Sequence, residues 1–208
     1  MRKQFVKSLQ NILHSNPKTT LLLGDIGVFG FRNELSSIPE RVYNIGILEQ
    51  CTVGVAAGMS KCGLIPFVHT IAPFLVERAL EQLKVDFGYQ CLNGNFISVG
   101  ASYDYASLGC THHCPGDILA LSTIPNMQLV VPGTSTEFDA LITQAYDNGS
   151  PTYYRLSEYE NKDPIYCRMR KAMQYGKNLT DYEKCLVENN SGDYACSWLF
   201  GDTNVNEI

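Results

Sequence analysis

Tyr43-Asn44-Ile45-Gly46-Ile47-Leu48-Glu49-Gln50 closes a β-rich run on a carboxylate, and that carboxylate opens a helix rich in small residues. Residues 50–62 place Gly54, Ala57 and Gly58 at i, i+3, i+4 spacing, a helical face that lets another backbone approach closely. An acid at such a packed helix start is poorly hydrated and readily shares a proton with a ring nitrogen. Glu49 is therefore the first catalytic candidate. The plainer role open to it is capping, where negative charge against the helix dipole contributes about 0.3–1 kcal/mol.

Outward from this stretch the chain alternates helices with short apolar strands. Residues 3–14 carry Phe5, Leu9, Ile12 and Leu13 at i, i+4, i+7, i+8, one face of a helix that Asn16-Pro17 ends. Strands are predicted at 19–24, 41–45, 66–70, 95–100, 127–131 and 152–156, several of them continuous apolar runs suited to burial on both faces. Helices are predicted at 32–37, from Pro73 along the stripe Val76, Ala79, Leu80, Leu83 and Phe87, at 117–124 and at 135–146. The last opens on a capping box, Thr134-Ser135-Thr136-Glu137. The pattern predicts an α/β fold, a doubly wound parallel sheet, over residues 1–160. Residues 161–208 lose the alternation and gain Asn, Asp and Tyr, as expected of a short C-terminal extension.

Composition narrows the function. The 208 residues are 45% hydrophobic, enough to fill one ample core. A net charge of −5 offers no footprint for nucleic acid or an anionic membrane. No apolar run reaches spanning length and none follows the first residues as a signal peptide would, so a cytoplasmic location is expected. The eight cysteines are scattered as free thiols would be. Cys110, His112, His113 and Cys114 cluster without the spacing of a zinc knuckle, and no metal site is assigned to them.

Other candidates lie on loops after strands, where open parallel sheets hold ligands. Asp25 follows the first strand, as a ligand contact or a turn residue. Phe74 sits off the core-facing stripe, as core filler or a stacking platform for a flat ligand. The loop at 101–113 is long for a compact domain and carries His112 and His113, of which neighbouring geometry lets one face a given ligand. His69 is a core histidine or a pocket residue.

Taken in order, residues 44–58 with Glu49-Gln50, Thr70-Ile71-Ala72-Pro73-Phe74-Leu75 continuing through Glu77-Arg78-Ala79 to Glu81-Gln82, the loop at 108–113 and Ile124-Pro125-Asn126-Met127 resemble the pyrimidine-binding domain of transketolase-like thiamine diphosphate enzymes. The closest likeness is to the carboxyl-terminal subunit of split transketolases, over about residues 19–160. The resemblance implies that Glu49 hydrogen-bonds the pyrimidine N1′, that Phe74 stacks on the ring with Ile71 beside it, and that Asp25 lies near the cofactor at a dimer interface. It also implies that His112 contacts the donor sugar, with His113 and His69 as further substrate contacts. The implied reaction moves a two-carbon ketol unit between sugar phosphates.

The family's glycine-rich, acidic diphosphate motif is missing here. The resemblance therefore implies a separate partner subunit that holds the diphosphate and its Mg2+ or Ca2+, in a homodimer or heterotetramer. Gln174-Tyr175-Gly176-Lys177 looks like the start of the family's further α/β domain, after which the likeness fades. Two alternatives stay open: the beta-type subunit of a 2-oxo acid dehydrogenase, which shares the fold and the glutamate, and a non-catalytic scaffold derived from the fold.

Overall fold

Five residues with no exposed member, Thr19–Leu23, need cover on both faces, and they form β1 inside the sheet rather than at its edge. The computed structural model describes residues 1–158 together with Thr180, Asp181 and Lys184. Apart from those three, the expected extension at 161–208, including residues 174–177, lies outside the described residues.

Among the described residues β1 is joined by β2 (Val42–Asn44), β3 (Ile65–Ile71), β4 (Gly94–Val99), β5 (Gln128–Val130) and β6 (Pro151–Arg155) in one sheet of order β2-β1-β3-β4-β6-β5. Every pairing is parallel. Alternate side chains serve opposite layers. Leu21, Leu23, Phe67 and Ile97 meet Phe5, Leu9 and Leu13 of α1 (Arg2–Ser15) and Phe138 and Ile142 of α7 (Ser135–Ala145). Leu22, Val68, Phe96 and Tyr153 meet Val53 and Ala56 of α3 (Glu49–Lys61), Leu75 of α4 (Ala72–Val76) and Leu121 of α6 (Asp117–Ser122). The short α2 is Arg32–Ser37. Helices on both faces of an all-parallel sheet make the fold doubly wound, as predicted.

The capping box is half conventional. Thr134 Oγ1 accepts from the Glu137 amide at 3.2 Å, while the Glu137 carboxylate reaches past the cap to the Gly133 amide at 2.8 Å. One other expectation is corrected. The stripe from Val76 to Phe87 is not one helix: α4 stops, Ala79 leaves helical geometry at φ −110°, and the chain resumes as α5 (Leu80–Gln82) and a wide π turn at Leu83–Gly88. Val76, Ala79, Leu83 and Phe87 are nonetheless all buried, so the backbone bends to deliver each to the core. On α3 the buried face is Thr52, Val53, Ala56 and Ala57. Gly54 and Gly58 turn outward, and nothing lies within 4 Å of where a Gly58 Cβ would stand. No helix among the described residues is long and apolar enough to cross a membrane.

His69, in β3, lies on the α1 side of the sheet. Its ring is 4.5 Å from that of Phe5, Gly27 closes over its edge, and Nδ1 donates to the Ile97 carbonyl at 2.9 Å. Nε2 is buried without a partner. Burial penalises the imidazolium and lowers the pKa from 6.5 to about 4. Because the unfolded chain takes up this proton first, the contribution is complete above pH 6.5 and is lost as pH falls toward 4. Urea unfolding should show the wild type losing about 3 kcal/mol more than His69→Gln between pH 7.5 and pH 4. Parallel pH profiles would contradict this account of His69.

Candidate active site

Between β1 and β3 the winding of the sheet reverses, because the chain steps from β1 outward to β2 and then returns past β1 to β3. Loops beyond the carboxyl ends of two such strands diverge and leave a crevice. The Gly24 amide donates to the His69 carbonyl at 2.9 Å, and a Cβ at Gly24 would stand 2.9 Å from Thr70 Oγ1, so only glycine lets the two strand ends close up here. Asp25 follows at φ 65°. Its amide donates to Asn44 Oδ1 and its Oδ1 accepts from Asn44 Nδ2, both at 3.1 Å. This pair ties the ends of β1 and β2 and leaves Asp25 exposed on the rim.

Glu49, the first residue of α3, is 2% exposed. Its Oε2 accepts from Arg78 Nη1 at 2.7 Å, and its Oε1 is buried with no partner. Buried polar atoms are nearly always satisfied, so an orphaned carboxylate oxygen marks a place where another donor belongs. The Arg78 guanidinium lies 4.3 Å from the centre of the Phe74 ring. Phe74 in turn meets the His112 ring edge-on at 5.2 Å. Glu49, Arg78, Phe74 and His112 thus form one connected group of an acid, a cation, a flat apolar platform and an imidazole.

The histidine loop is braced from below. Gly100, at φ 78°, turns the chain out of β4, and a Cβ there would stand 2.3 Å from the Tyr105 ring. The Cys114 amide donates to the Ser102 carbonyl at 2.8 Å, pinning the two ends of the loop together. Arg155 of β6 donates from Nη2 to Ser102 Oγ at 2.6 Å and from Nε to Asp117 Oδ2 at 2.7 Å. Tyr153 also donates to Asp117 Oδ2, at 2.9 Å. Burial, with the Asp117 and Glu77 carboxylates beside it, pushes the Cys114 thiol well up, so it stays protonated and donates to Glu77. Burial also raises the Asp104 carboxyl, which accepts from Ser157 Oγ and the Glu158 amide.

Of the residues singled out from sequence, the structure brings Glu49, Phe74 and His112 together and seats Ile71 just before α4. His113 turns to Tyr103 instead, with ring centres 5.1 Å apart and a buried, unpartnered Nε2. Asp25 is engaged with Asn44. His69 is corrected from a pocket residue to a core histidine, since Phe5 and Gly27 cover it on the α1 side. Sequence pattern assigns no role to Arg78, Asp117 or Arg155. The one available signal is Arg155 at the end of a largely apolar strand, where a mostly buried arginine calls for an acid such as Asp117.

Residues 1–162 match the family model for the transketolase pyrimidine-binding domain. The chain belongs to that family. It is 39% identical over 160 residues to an uncharacterized 33.6 kDa protein in the fasciation locus of Rhodococcoides fascians, covering 77% of this chain and 51% of the relative. A subunit of the apulose-4-phosphate transketolase of Phocaeicola vulgatus is 34% identical over 172 residues, covering 78% and 54%. A split-gene transketolase solved as an inactive beta4 tetramer superposes with TM-score 0.68 at 31% identity, covering 78% of this chain and 52% of that one. The chain therefore spans about half the length of these relatives.

Removing one partner of a buried ion pair strands the other charge. Asp117→Ala should destabilise the family fold by about 3–5 kcal/mol in denaturant unfolding. A loss below about 1 kcal/mol, the worth of a surface pair, would show that Arg155 is not dependent on Asp117.

Proposed function

We propose that this chain is the pyrimidine-binding subunit of a thiamine diphosphate-dependent, transketolase-like transferase that moves a two-carbon ketol unit between sugar phosphates. The observation that carries the reading is the orphaned Oε1 of buried Glu49, linked through the Arg78 guanidinium to the Phe74 ring and from that ring to His112. These residues fit the aminopyrimidine half of the cofactor: an unsatisfied carboxylate oxygen for a ring nitrogen and an aromatic face for a flat heterocycle. When bound, thiamine diphosphate supplies the carbon nucleophile and the electron sink that cleavage of a ketose requires.

The chain's own residues hold and orient. Glu49 would share a proton with the pyrimidine ring nitrogen, in a site dry enough for that hydrogen bond to be strong. Phe74 sets the plane of the ring, and Ile71 packs beside it. Thr111 Oγ1 holds His112 Nδ1 at 3.0 Å, which leaves Nε2 to meet an oxygen of the sugar. His113 supports this loop. Asp25 faces the interface with the partner from the rim. Positioning is the larger contribution of such a site, since orientation of reactants supplies up to about 7–11 kcal/mol.

No group of three or more His, Cys, Asp or Glu side chains among the described residues is arranged to hold a metal. On this reading a partner subunit holds the diphosphate and its Mg2+ or Ca2+, in a homodimer or heterotetramer, with a cytoplasmic location and neither nucleic acid nor membrane as a partner. A split-gene transketolase solved as an inactive beta4 tetramer supports this reading. The naming of relatives as transketolase subunits, with the Thr111-His112 pair, favours ketol transfer over a 2-oxo acid dehydrogenase or a scaffold.

Mixed with the chain bearing the diphosphate domain, this protein should give thiamine diphosphate-dependent transfer from a ketose phosphate. Glu49→Ala should lower kcat by about 10²–10⁴-fold, and normal turnover by that variant would refute the assignment. Phe74→Ala should raise the cofactor concentration needed for half activity by about tenfold, consistent with loss of an aromatic stack.

A further inference from the structure

Arg78 stands where the proposed pyrimidine would lie. Its guanidinium takes one of the two Glu49 oxygens and covers a face of the Phe74 ring at 4.3 Å. A planar cation on an aromatic face and a planar heterocycle on the same face exclude one another. The Arg78 side chain is 38% exposed, against 2% for Glu49, so the cation holds the buried acid from the solvent side. It also sits in the irregular turn between α4 and α5, where the Glu77 and Arg78 amides share the Pro73 carbonyl and no continuous helix fixes its direction.

An alternative seat adjoins it. A groove of about 500 Å³ runs from Arg78 along α5, walled by the exposed carboxylates of Glu77 and Glu81 with Lys84 at its far side. We propose that Arg78 is a displaceable latch on the pyrimidine site, closed on Glu49 and Phe74 in the free chain and swung to the Glu77 and Glu81 side of the groove when a flat heterocycle enters. The inference rests on the pyrimidine-binding reading above and adds to it the residue that guards the site. While the site is empty, the latch keeps a buried charge compensated and an aromatic face covered. The ligand replaces both contacts, a ring nitrogen for the guanidinium on Glu49 and a heterocycle for the guanidinium on Phe74. Partly exposed ion pairs are weak enough to exchange in this way.

The test uses the full chain and thiamine, which carries the pyrimidine without the diphosphate that the partner would hold. Calorimetric titration of the wild type, Arg78→Met and Arg78→Gln should show both variants binding thiamine more tightly, by up to about tenfold, because no latch must be displaced. In the wild type the Arg78 guanidinium nitrogen resonance, assigned by its loss in the variants, should move away from its Glu49-paired position as thiamine saturates. This second measurement decides the matter if a variant fails to fold. Equal or weaker binding by both folded variants, or an unmoved guanidinium resonance at saturation, overturns the latch and leaves the pyrimidine reading standing. Failure of every chain to bind thiamine, or binding that survives in Glu49→Gln unchanged, overturns the pyrimidine reading and the latch with it.

Discussion

A carboxylate taken out of water with only one of its oxygens satisfied is the constraint around which this molecule is arranged. Glu49 is all but inaccessible, and its partner among the described residues is a cation reaching in from the surface. Burying a charge is costly unless it is paired and hydrogen-bonded, so the half-satisfied state is tolerated for a purpose. The fold supplies the means: α3 begins at Glu49, just beyond the carboxyl end of β2, and the α3 face carrying Thr52, Val53 and Ala56 packs the helix start firmly onto the sheet.

The two faces of the sheet do different work. On the α1 and α7 side the packing is almost wholly apolar, and the titratable ring within it, His69, is kept neutral by burial. On the α3, α4 and α6 side, polar groups penetrate the core as a chain from Ser98 through Tyr153 to Asp117 and Arg155, ending at Ser102. That chain reaches the surface under the loop bearing His112. A buried network that is fully satisfied stiffens what it touches. The loop is irregular along its length but anchored where it leaves and rejoins the sheet.

The candidate site offers an acid, an aromatic face and an imidazole, and the described residues include no group of three or more His, Cys, Asp or Glu arranged to hold a metal. The matched stretch covers about half the length of the relatives. The buried charge gives Arg78 a physical reason to lie where it does, because Glu49 needs a compensating cation.

Periodicity in the sequence determined the architecture. Phe5, Leu9, Ile12 and Leu13 could share a face only on a helix, and Thr19–Leu23 could be buried on both sides only in a parallel sheet; both patterns depend on local geometry alone. The order of motifs around Glu49, Phe74 and His112 likewise identified the family. Tertiary structure alone decided which way each side chain turned. It sent Gly54 and Gly58 outward, broke the helix after Val76, placed His69 on the α1 face, and closed Asp117 on Arg155 across 38 positions of chain. The pairing of Arg78 with Glu49 spans 29 positions. Contacts of that kind are settled by how helices dock on a sheet, and no local spacing records the docking.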